Sequence, residues 1–242
     1  MLFRSLFGAE ALAIVRRYVE LRYRLFPYIR SAALEARRTG LPVLRALPLA
    51  FPDDPNGAAW DHEYLFGPAL LVAPVIRPLR ELGRAGGRRD GRPVLPVYLP
   101  PGTWIDVRTG KAHAGPAVVE TPAPLQAMPV FVRAGAAVPM TGDPRRVPEG
   151  PVDPLEVAVF PAAGPTESVL YEEDGPSRFG LAPEKGGHRF TWTGTVARRI
   201  VVRSGAGARA PVLADISPRR SEKGSIRLGL GPLSGPAAIS RR

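Results

Sequence analysis

Acidic residues beside turn-forming residues are the first candidates for chemistry in this sequence. Asp53 and Asp54 are adjacent between two prolines, and Glu172, Glu173 and Asp174 lead directly into a glycine. Catalysis by carboxyl groups needs two of them held at a fixed distance on rigid elements, one as acid/base and one as nucleophile. Neighbouring side chains in a turn cap that turn instead of converging on a substrate. We therefore interpret the first cluster as a turn cap and the second as a solvated hairpin end.

The consecutive residues Asp61, His62 and Glu63 are a further candidate, for a metal ion or an acid–base pair. Their spacing lacks the separation that brings metal ligands together on a helix or a hairpin. The aromatic neighbours Trp60 and Tyr64 indicate instead the packed entry of a strand.

The remaining groups that could carry chemistry are isolated or lack the required context. His113 and His188 are lone histidines, which are usually surface residues or hydrogen-bonded core residues. The glycine-rich stretch 83–87 lacks the preceding strand and following helix of a phosphate-binding loop. The chain has no cysteine, which excludes disulfides and thiolate metal sites. We therefore assign no catalytic, cofactor-binding or metal-binding residue, and we expect no cofactor.

A single amphipathic helix is predicted for residues 9–38, because apolar residues recur there at helical spacing. Pro27 removes a backbone donor and clashes with the preceding turn, so a bend is expected near residues 23–26. Gly40 and Pro42 end the helix. Aromatic residues at helical spacing on this segment are interpreted as core rather than as a ligand-binding stripe.

Short strands separated by proline and glycine follow the helix and predict an antiparallel β-sandwich. The predicted strands are 43–50, 63–66, 69–76, 94–99, 103–107, 117–121 and 129–133. Residues 77–92, with six arginines and four glycines, are predicted to form a surface excursion between two of these strands.

A second, smaller β unit is predicted after a proline- and glycine-rich linker. Its predicted strands are 155–160, 168–171, 188–193 and 199–202. The expected divisions of the chain are 1–40 (helix), 41–140 (proximal sandwich), 141–153 (linker), 154–213 (distal β-domain) and 214–242 (basic tail). The tail has little hydrophobic periodicity, so disorder or poor packing is expected there.

Several short motifs, taken together and in this order, resemble glycoside hydrolase family 31. They are 22–28 (RYRLFPY), 40–45 (GLPVLR), 51–55 (FPDDP), 64–67 (YLFG), 71–75 (LVAPV), 97–104 (VYLPPGTW), 109–110 (TG) and 129–135 (PVFVRAG). The resemblance covers residues 7–140 strongly and 154–192 more weakly, and it ends near Leu213.

The resemblance implies a mainly β chain. It consists of the last helix of a truncated (β/α)8 barrel, a proximal antiparallel β-sandwich and a smaller distal β-domain. Family members hydrolyse α-glucosides or α-xylosides with retention, without a metal or organic cofactor, using two aspartates on barrel segments upstream of the last helix. That part of the family pattern is absent here. We therefore expect this chain alone to be inactive and to serve a structural role, with the glycoside substrate bound through the barrel.

An alternative function is a non-catalytic carbohydrate-binding or docking β-sandwich. Exposed, coplanar aromatic side chains at positions such as Trp104 or Trp192 would favour this alternative, because sugar rings stack on flat apolar surfaces. Burial of both side chains would disfavour it.

Positive charge could indicate a nucleic-acid-binding protein, but its distribution does not. Of the formal net charge of +11, residues 198–242 contribute +8 and residues 77–92 contribute +4, so the remainder is nearly neutral. No aromatic residue follows Trp192, whereas grooves that bind single strands combine basic with aromatic residues. A solvated basic tail is favoured. No apolar run reaches the ~18 residues of a membrane span, no signal peptide is evident, and the cytoplasm is the expected compartment.

Overall fold

A computed structural model of the chain describes residues 7–78, 88–89, 92–205, 212–216 and 223–230. The helices are α1 (Gly8–Arg24), α2 (Phe26–Thr39), α3 (Leu47–Ala50) and a 3₁₀ turn (Gly57–Ala59). The strands are β1 (Leu44–Ala46), β2 (Tyr64–Phe66), β3 (Leu70–Val72), β4 (Arg88–Arg89), β5 (Arg92–Asp106), β6 (Ala112–Pro122), β7 (Val130–Arg133), β8 (Ala137–Thr141), β9 (Leu155–Val159), β10 (Thr166–Leu170), β11 (Ser177–Glu184), β12 (Gly187–Thr193), β13 (Ile200–Ser204), β14 (Val212–Ile216) and β15 (Lys223–Leu228). The predicted mainly β fold with an N-terminal helix is confirmed.

The predicted N-terminal helix is present as two segments that meet at Leu25. Pro27 lies in the first turn of α2, where its missing N–H needs no partner, and the helix is interrupted just before it. Gly40 ends α2 with a φ of 78°, a conformation that favours glycine. Helix α1 has no buried residue, whereas α2 buries Tyr28 and Ser31. Helix α2 is thus the segment that attaches the helix pair to the β units.

One seven-stranded antiparallel sheet forms the proximal unit, in the order β1-β2-β3-β7-β5-β4, with β6 on the other side of β5. Strand β5 pairs with β6 from Val94 to Leu99 and again from Gly102 to Ile105, and residues 104–106 also pair with β7 on the other side. A bulge between Leu99 and Gly102 interrupts the β5–β6 ladder, and such bulges bend a strand. Side chains that precede the bulge (Leu95, Val97 and Leu99) share one apolar cluster with β3 and β7, as expected for the two layers predicted for this unit.

Two apolar clusters fill the two faces of the proximal sheet. One lies between the layers and includes Leu71, Val97, Trp104 and Phe131. The other lies beneath the helix pair and joins residues of α2 to the opposite face of β3 and β7. Adjacent residues on a strand point to opposite faces, so β3, β5 and β7 each contribute to both clusters. Helix α2 is therefore part of the hydrophobic core.

Two four-stranded sheets form the distal unit, in the orders β10-β11-β12-β15 and β14-β13-β9-β8. All pairs are antiparallel except β9 with β13, which is parallel. Residues of both sheets enclose one core; its largest members are Phe179, Phe190, Leu155 and Leu181. This arrangement is a β-sandwich.

Two expectations about the distal unit need correction. Strand β8 (Ala137–Thr141) spans the predicted boundary at residue 140 and pairs with β9, so that boundary cuts through a strand of the distal unit. The tail predicted to be poorly packed contains β15, which pairs with β12 and buries Leu228. Its composition (KGSIRL) hid the alternation that places Ile226 and Leu228 toward the core. Residues 217–222 and 231–242 of the predicted tail, and most of the predicted surface excursion 77–92, lie outside the described residues. The other domain limits remain predictions.

Because Leu228 is fully buried in the distal core, we expect Leu228→Ala to lower the free energy of unfolding by ~2–3 kcal/mol. Chemical denaturation followed by tryptophan fluorescence would measure this. The matched control is Arg227→Ala on the neighbouring exposed position, with an expected change within ~0.5 kcal/mol. Equal, small effects of both variants would show that β15 does not contribute to the core.

Candidate functional site

The carboxylate of Asp54 is part of a buried structural network. Its Oδ2 accepts a hydrogen bond from the Tyr98 hydroxyl at 2.7 Å, and its Oδ1 accepts the backbone N–H of Asn56 at 3.1 Å. Asp53 next to it is exposed. The two carboxylates do not converge, which agrees with their interpretation as residues of a turn.

Glu63 is the most deeply buried carboxyl group among the described residues. Its side chain has no exposed surface, and its Oε1 accepts the backbone N–H of Tyr98 at 3.0 Å. At Tyr98 strand β5 pairs with β6 on one side only, so the carboxyl group takes the place of a missing strand on the other side. Its Oε2 is buried without a partner. Burial raises the pKa of Glu63 to about 8, although the bond from Tyr98 opposes the shift.

The other members of the Asp61–Glu63 candidate do not form a metal site with Glu63. Asp61 is exposed, and the ring nitrogens of His62 lie 3.6 Å from Asp61 Oδ1 and 3.8 Å from Glu63 Oε1. Trp60 stacks on Tyr98 at 5.8 Å between ring centroids. Trp60, which precedes this tripeptide, is thus packed against the proximal core.

The three carboxyl groups of the predicted hairpin end, those of Glu172, Glu173 and Asp174, have different surroundings. Glu172 accepts hydrogen bonds from the buried Arg198 guanidinium and the Ser177 hydroxyl. Glu173 is largely exposed and pairs with a helix arginine, and Asp174 is exposed. The three carboxyl groups therefore have different partners, and two of them lie on the surface.

The two tryptophans proposed as sugar platforms differ in burial. Trp104 is fully buried, and its indole N–H donates to the Pro100 carbonyl at 2.8 Å. Trp192 is only partly buried; it stacks on Phe190, lies over Gly224 and lines an open pocket with Thr191 and Lys223. Trp104 is therefore excluded as a sugar platform, and the carbohydrate-binding alternative stays a prediction at Trp192.

The long-range hydrogen bonds and ion pairs of the described residues are concentrated instead around the helix pair. Glu156 of β9 accepts hydrogen bonds from Arg24, the last residue of α1, at 2.8 Å and from Arg203 of β13 at 3.1 Å. The Glu156 side chain is only 11% exposed. A shielded carboxylate that holds two guanidinium groups fixes the junction between α1 and the distal sandwich.

Helix α2 makes a second set of contacts with the distal unit. The Ser31 hydroxyl accepts the backbone N–H of Tyr171 at 2.8 Å and donates to the Val169 carbonyl at 3.4 Å. Arg30 pairs with Glu173 at 2.6 Å. These bonds link residues about 140 positions apart in the chain.

Tyr28 attaches the same helix to the proximal sheet. Its hydroxyl donates to the Phe66 carbonyl at 2.6 Å and accepts the backbone N–H of Ala69 at 3.0 Å. Burial raises the pKa of Tyr28 well above its usual value. Gly67 lies so close that a Cβ there would be 2.5 Å from the Tyr28 hydroxyl oxygen. The sequence predicted Tyr28 as a core aromatic; its hydrogen-bonding role had no signal in the periodicity.

Helix α1 exposes apolar side chains on more than one side. Val15 and Val19 lie one helical turn apart, whereas Leu21 is two residues from Val19 and so points to another side. The helix is held along its length, because Glu10 accepts the Gln126 side-chain amide at 2.6 Å and the Tyr18 hydroxyl accepts the Met128 backbone N–H at 2.6 Å. Among the described residues, none of the helices has the length and apolar character needed to cross a membrane.

The fold and these contacts define two β units bonded to a helix pair, and comparison with known proteins identifies the class of the proximal unit. Residues 40–138 match the family model described as the glycosyl hydrolase family 31 C-terminal domain. These residues are therefore a family 31 C-terminal domain, and the resemblance inferred from the sequence motifs is confirmed.

Individual relatives agree with this assignment. The chain is 33% identical over 170 residues to alpha-glucosidase 2 of Bacillus thermoamyloliquefaciens, covering 70% of this chain and 20% of that protein. It is 32% identical over 173 residues to an alpha-xylosidase of Saccharolobus solfataricus, covering 70% and 22%. The chain thus spans about a fifth of the length of these relatives.

Solved structures show the same arrangement. The crystal structure of the GH31 alpha-xylosidase from Xanthomonas citri matches with a TM-score of 0.72 and 30% identity, covering 90% of this chain and 25% of that one. The GH31 dextranase of Flavobacterium johnsoniae, complexed with glucose, matches with a TM-score of 0.69, covering 82% and 26%. A mutant of the same dextranase was complexed with isomaltotriose.

Proposed function

We propose that this chain is the supporting C-terminal part of a retaining α-glycosidase that hydrolyses α-glucosides or α-xylosides. In this proposal the helix pair belongs to the sugar-cleaving barrel, and the two β units hold it in place. The observation that carries the proposal is that α1 and α2 are both bonded to both β units, although α1 buries none of its residues against the described part of the chain. The oligosaccharide substrate would be bound by the barrel, whose active site lies at the carboxyl ends of its strands.

The contacts of the carboxyl groups support a non-catalytic role for these residues. In the described part of the chain, Asp54, Glu63, Glu156 and Glu172 are each bonded to a backbone N–H, a hydroxyl or a guanidinium of the same structure. Retaining glycosidases need two carboxyl groups about 5–5.5 Å apart that face the substrate. Carboxylates already engaged in the core are not available for that reaction.

The class of substrate follows from the relatives. The relatives named above are an alpha-glucosidase and an alpha-xylosidase, and one structural neighbour is a dextranase. These names support α-linked glucose or xylose as the sugar that the whole enzyme cleaves.

We expect the purified 242-residue chain to show no hydrolysis of p-nitrophenyl α-glucoside or α-xyloside above the buffer rate. A positioned general acid alone contributes roughly 10²–10⁴-fold to the rate, so a catalytic site within these residues would be easily detected. Release of p-nitrophenol measures the rate, and a folded far-UV circular dichroism spectrum shows that the chain tested is intact.

The variants Asp53→Asn and Glu173→Gln provide the decisive comparison for that assay. Both residues are exposed and belong to the clusters that the sequence offered as candidates. Turnover by the wild-type chain that either variant abolishes would overturn the proposal and place a catalytic site within this chain.

A further inference from the structure

One arginine differs from the other arginines that are not exposed in having no ion-pair partner in the described part of the chain. Among residues whose side chains are described, six arginines are not exposed on the surface. Five of them form an ion pair with a glutamate: Arg24 and Arg203 with Glu156, Arg30 with Glu173, Arg45 with Glu35, and Arg198 with Glu172. The sixth, Arg133, has no carboxylate within ion-pair distance in the described part of the chain.

Arg133 is instead held by aromatic rings. It is the cross-strand partner of Trp104 at the end of β7, and its Cζ lies 5.2 Å from the ring centroid of Trp104 and 5.2 Å from that of Phe51. Contact with two rings fixes the position of the guanidinium group. None of its nitrogen atoms is both buried and unpartnered, so its N–H groups can be reached from solvent.

The surface next to Arg133 has the composition of a binding hot spot. The partly buried Phe51 and the fully buried Trp104 lie equally close to the Arg133 guanidinium group. Arginine and aromatic residues are enriched among the side chains that dominate binding energy at protein interfaces. A guanidinium group held in one plane offers a fork of parallel N–H donors, which matches the two oxygens of a carboxylate. Burial also lowers the pKa of Arg133, which is the effect expected of a cation that lacks a counter-ion.

We propose that Arg133, held by the rings of Phe51 and Trp104, forms a carboxylate-binding site that receives an aspartate or glutamate side chain from a protein segment packed against this surface. The carboxylate would complete the arginine–glutamate pairing that the other five arginines already have. This proposal goes beyond the supporting function and does not depend on which sugar the enzyme cleaves.

The test uses a model glutamate side chain and the full chain. N-acetyl-glutamate N-methylamide is titrated into ¹⁵N-labelled protein, and the Nε–Hε resonance of Arg133 is followed by NMR. This resonance can be assigned from its nuclear Overhauser contact with the Trp104 ring, so no variant has to fold. We expect a saturable shift in the millimolar range that weakens at higher salt.

Three comparisons decide the result. The neutral analogue N-acetyl-glutamine N-methylamide should bind at least ~10-fold more weakly, because it lacks the charge. Arg133→Lys keeps the charge but loses the planar fork, and here binding is followed in both proteins through the indole N–H resonance of Trp104, which lies beside residue 133. The substitution should weaken binding of the glutamate probe by a similar factor. The exposed Arg37 in α2 should show only a linear, unsaturated shift. Equal responses to the two probes, or equal responses of Arg133 and Arg37, would overturn the proposal. Tighter binding of free glucuronate than of the glutamate probe would overturn the assignment to a protein side chain.

Discussion

The wild-type chain should become progressively easier to unfold as the pH rises from about 4.5 to above 8, because Glu63 must then carry a buried charge. The pKa of Glu63 is raised from 4.5 to about 8 in the folded protein. A group whose folded pKa is raised favours the folded state at low pH, and that contribution is lost as the pH rises through the folded pKa. The loss amounts to ~3–5 kcal/mol when the carboxyl group is fully ionised.

Urea denaturation at a series of pH values measures this effect, and the variant Glu63→Gln isolates it. Glutamine keeps an oxygen that can accept the Tyr98 N–H but cannot ionise. The difference in unfolding free energy between the two proteins should therefore change with pH by ~3–5 kcal/mol. Glu120→Gln, on the exposed face of β6, is the matched control and should leave the pH dependence unchanged. A Glu63→Gln profile parallel to that of the wild type would refute the prediction.

The second large effect is expected at Glu156, where one carboxylate serves two arginines. Replacing Glu156 by glutamine should lower the free energy of unfolding by ~3–5 kcal/mol, because Arg24 and Arg203 would be left without a counter-ion in a shielded site. The Nε atom of Arg203 is already buried without a partner, so little relaxation is available there. Hydrogen exchange of the α1 and α2 backbone amides should also become faster, because the junction between α1 and the distal unit is weakened.

A matched control for this prediction exists in the same interface. Glu173→Gln also removes a glutamate that pairs with a helix arginine, but the Glu173 side chain is 75% exposed. Surface pairs of this kind contribute ~0–1 kcal/mol, so the control should have a small effect. If both substitutions had the same small effect, the Glu156 cluster would not be the contact that holds the helix to the distal sandwich.

The pattern of the sequence alone was sufficient to predict the secondary structure around the helix pair. The bend before Pro27 and the helix end at Gly40 follow from the backbone chemistry of those two residues. The mainly β character of the rest follows from short apolar runs between proline and glycine turns. The family followed from an ordered series of short motifs. All of these signals come from residues that are close together in the sequence, so they can be recognised without knowledge of the fold.

Only the tertiary structure decided which strands and side chains meet. Strand β15 escaped prediction because its pairing with β12, and not its own composition, stabilises it. The partners of Glu156 and Glu63 likewise could not be predicted from the sequence. Arg24 and Glu156 are 132 residues apart, and Glu63 binds a backbone N–H that is free only because β5 lacks a strand on that side. A side chain's charge is visible in the sequence, whereas its burial and its partner depend on contacts made across the whole chain.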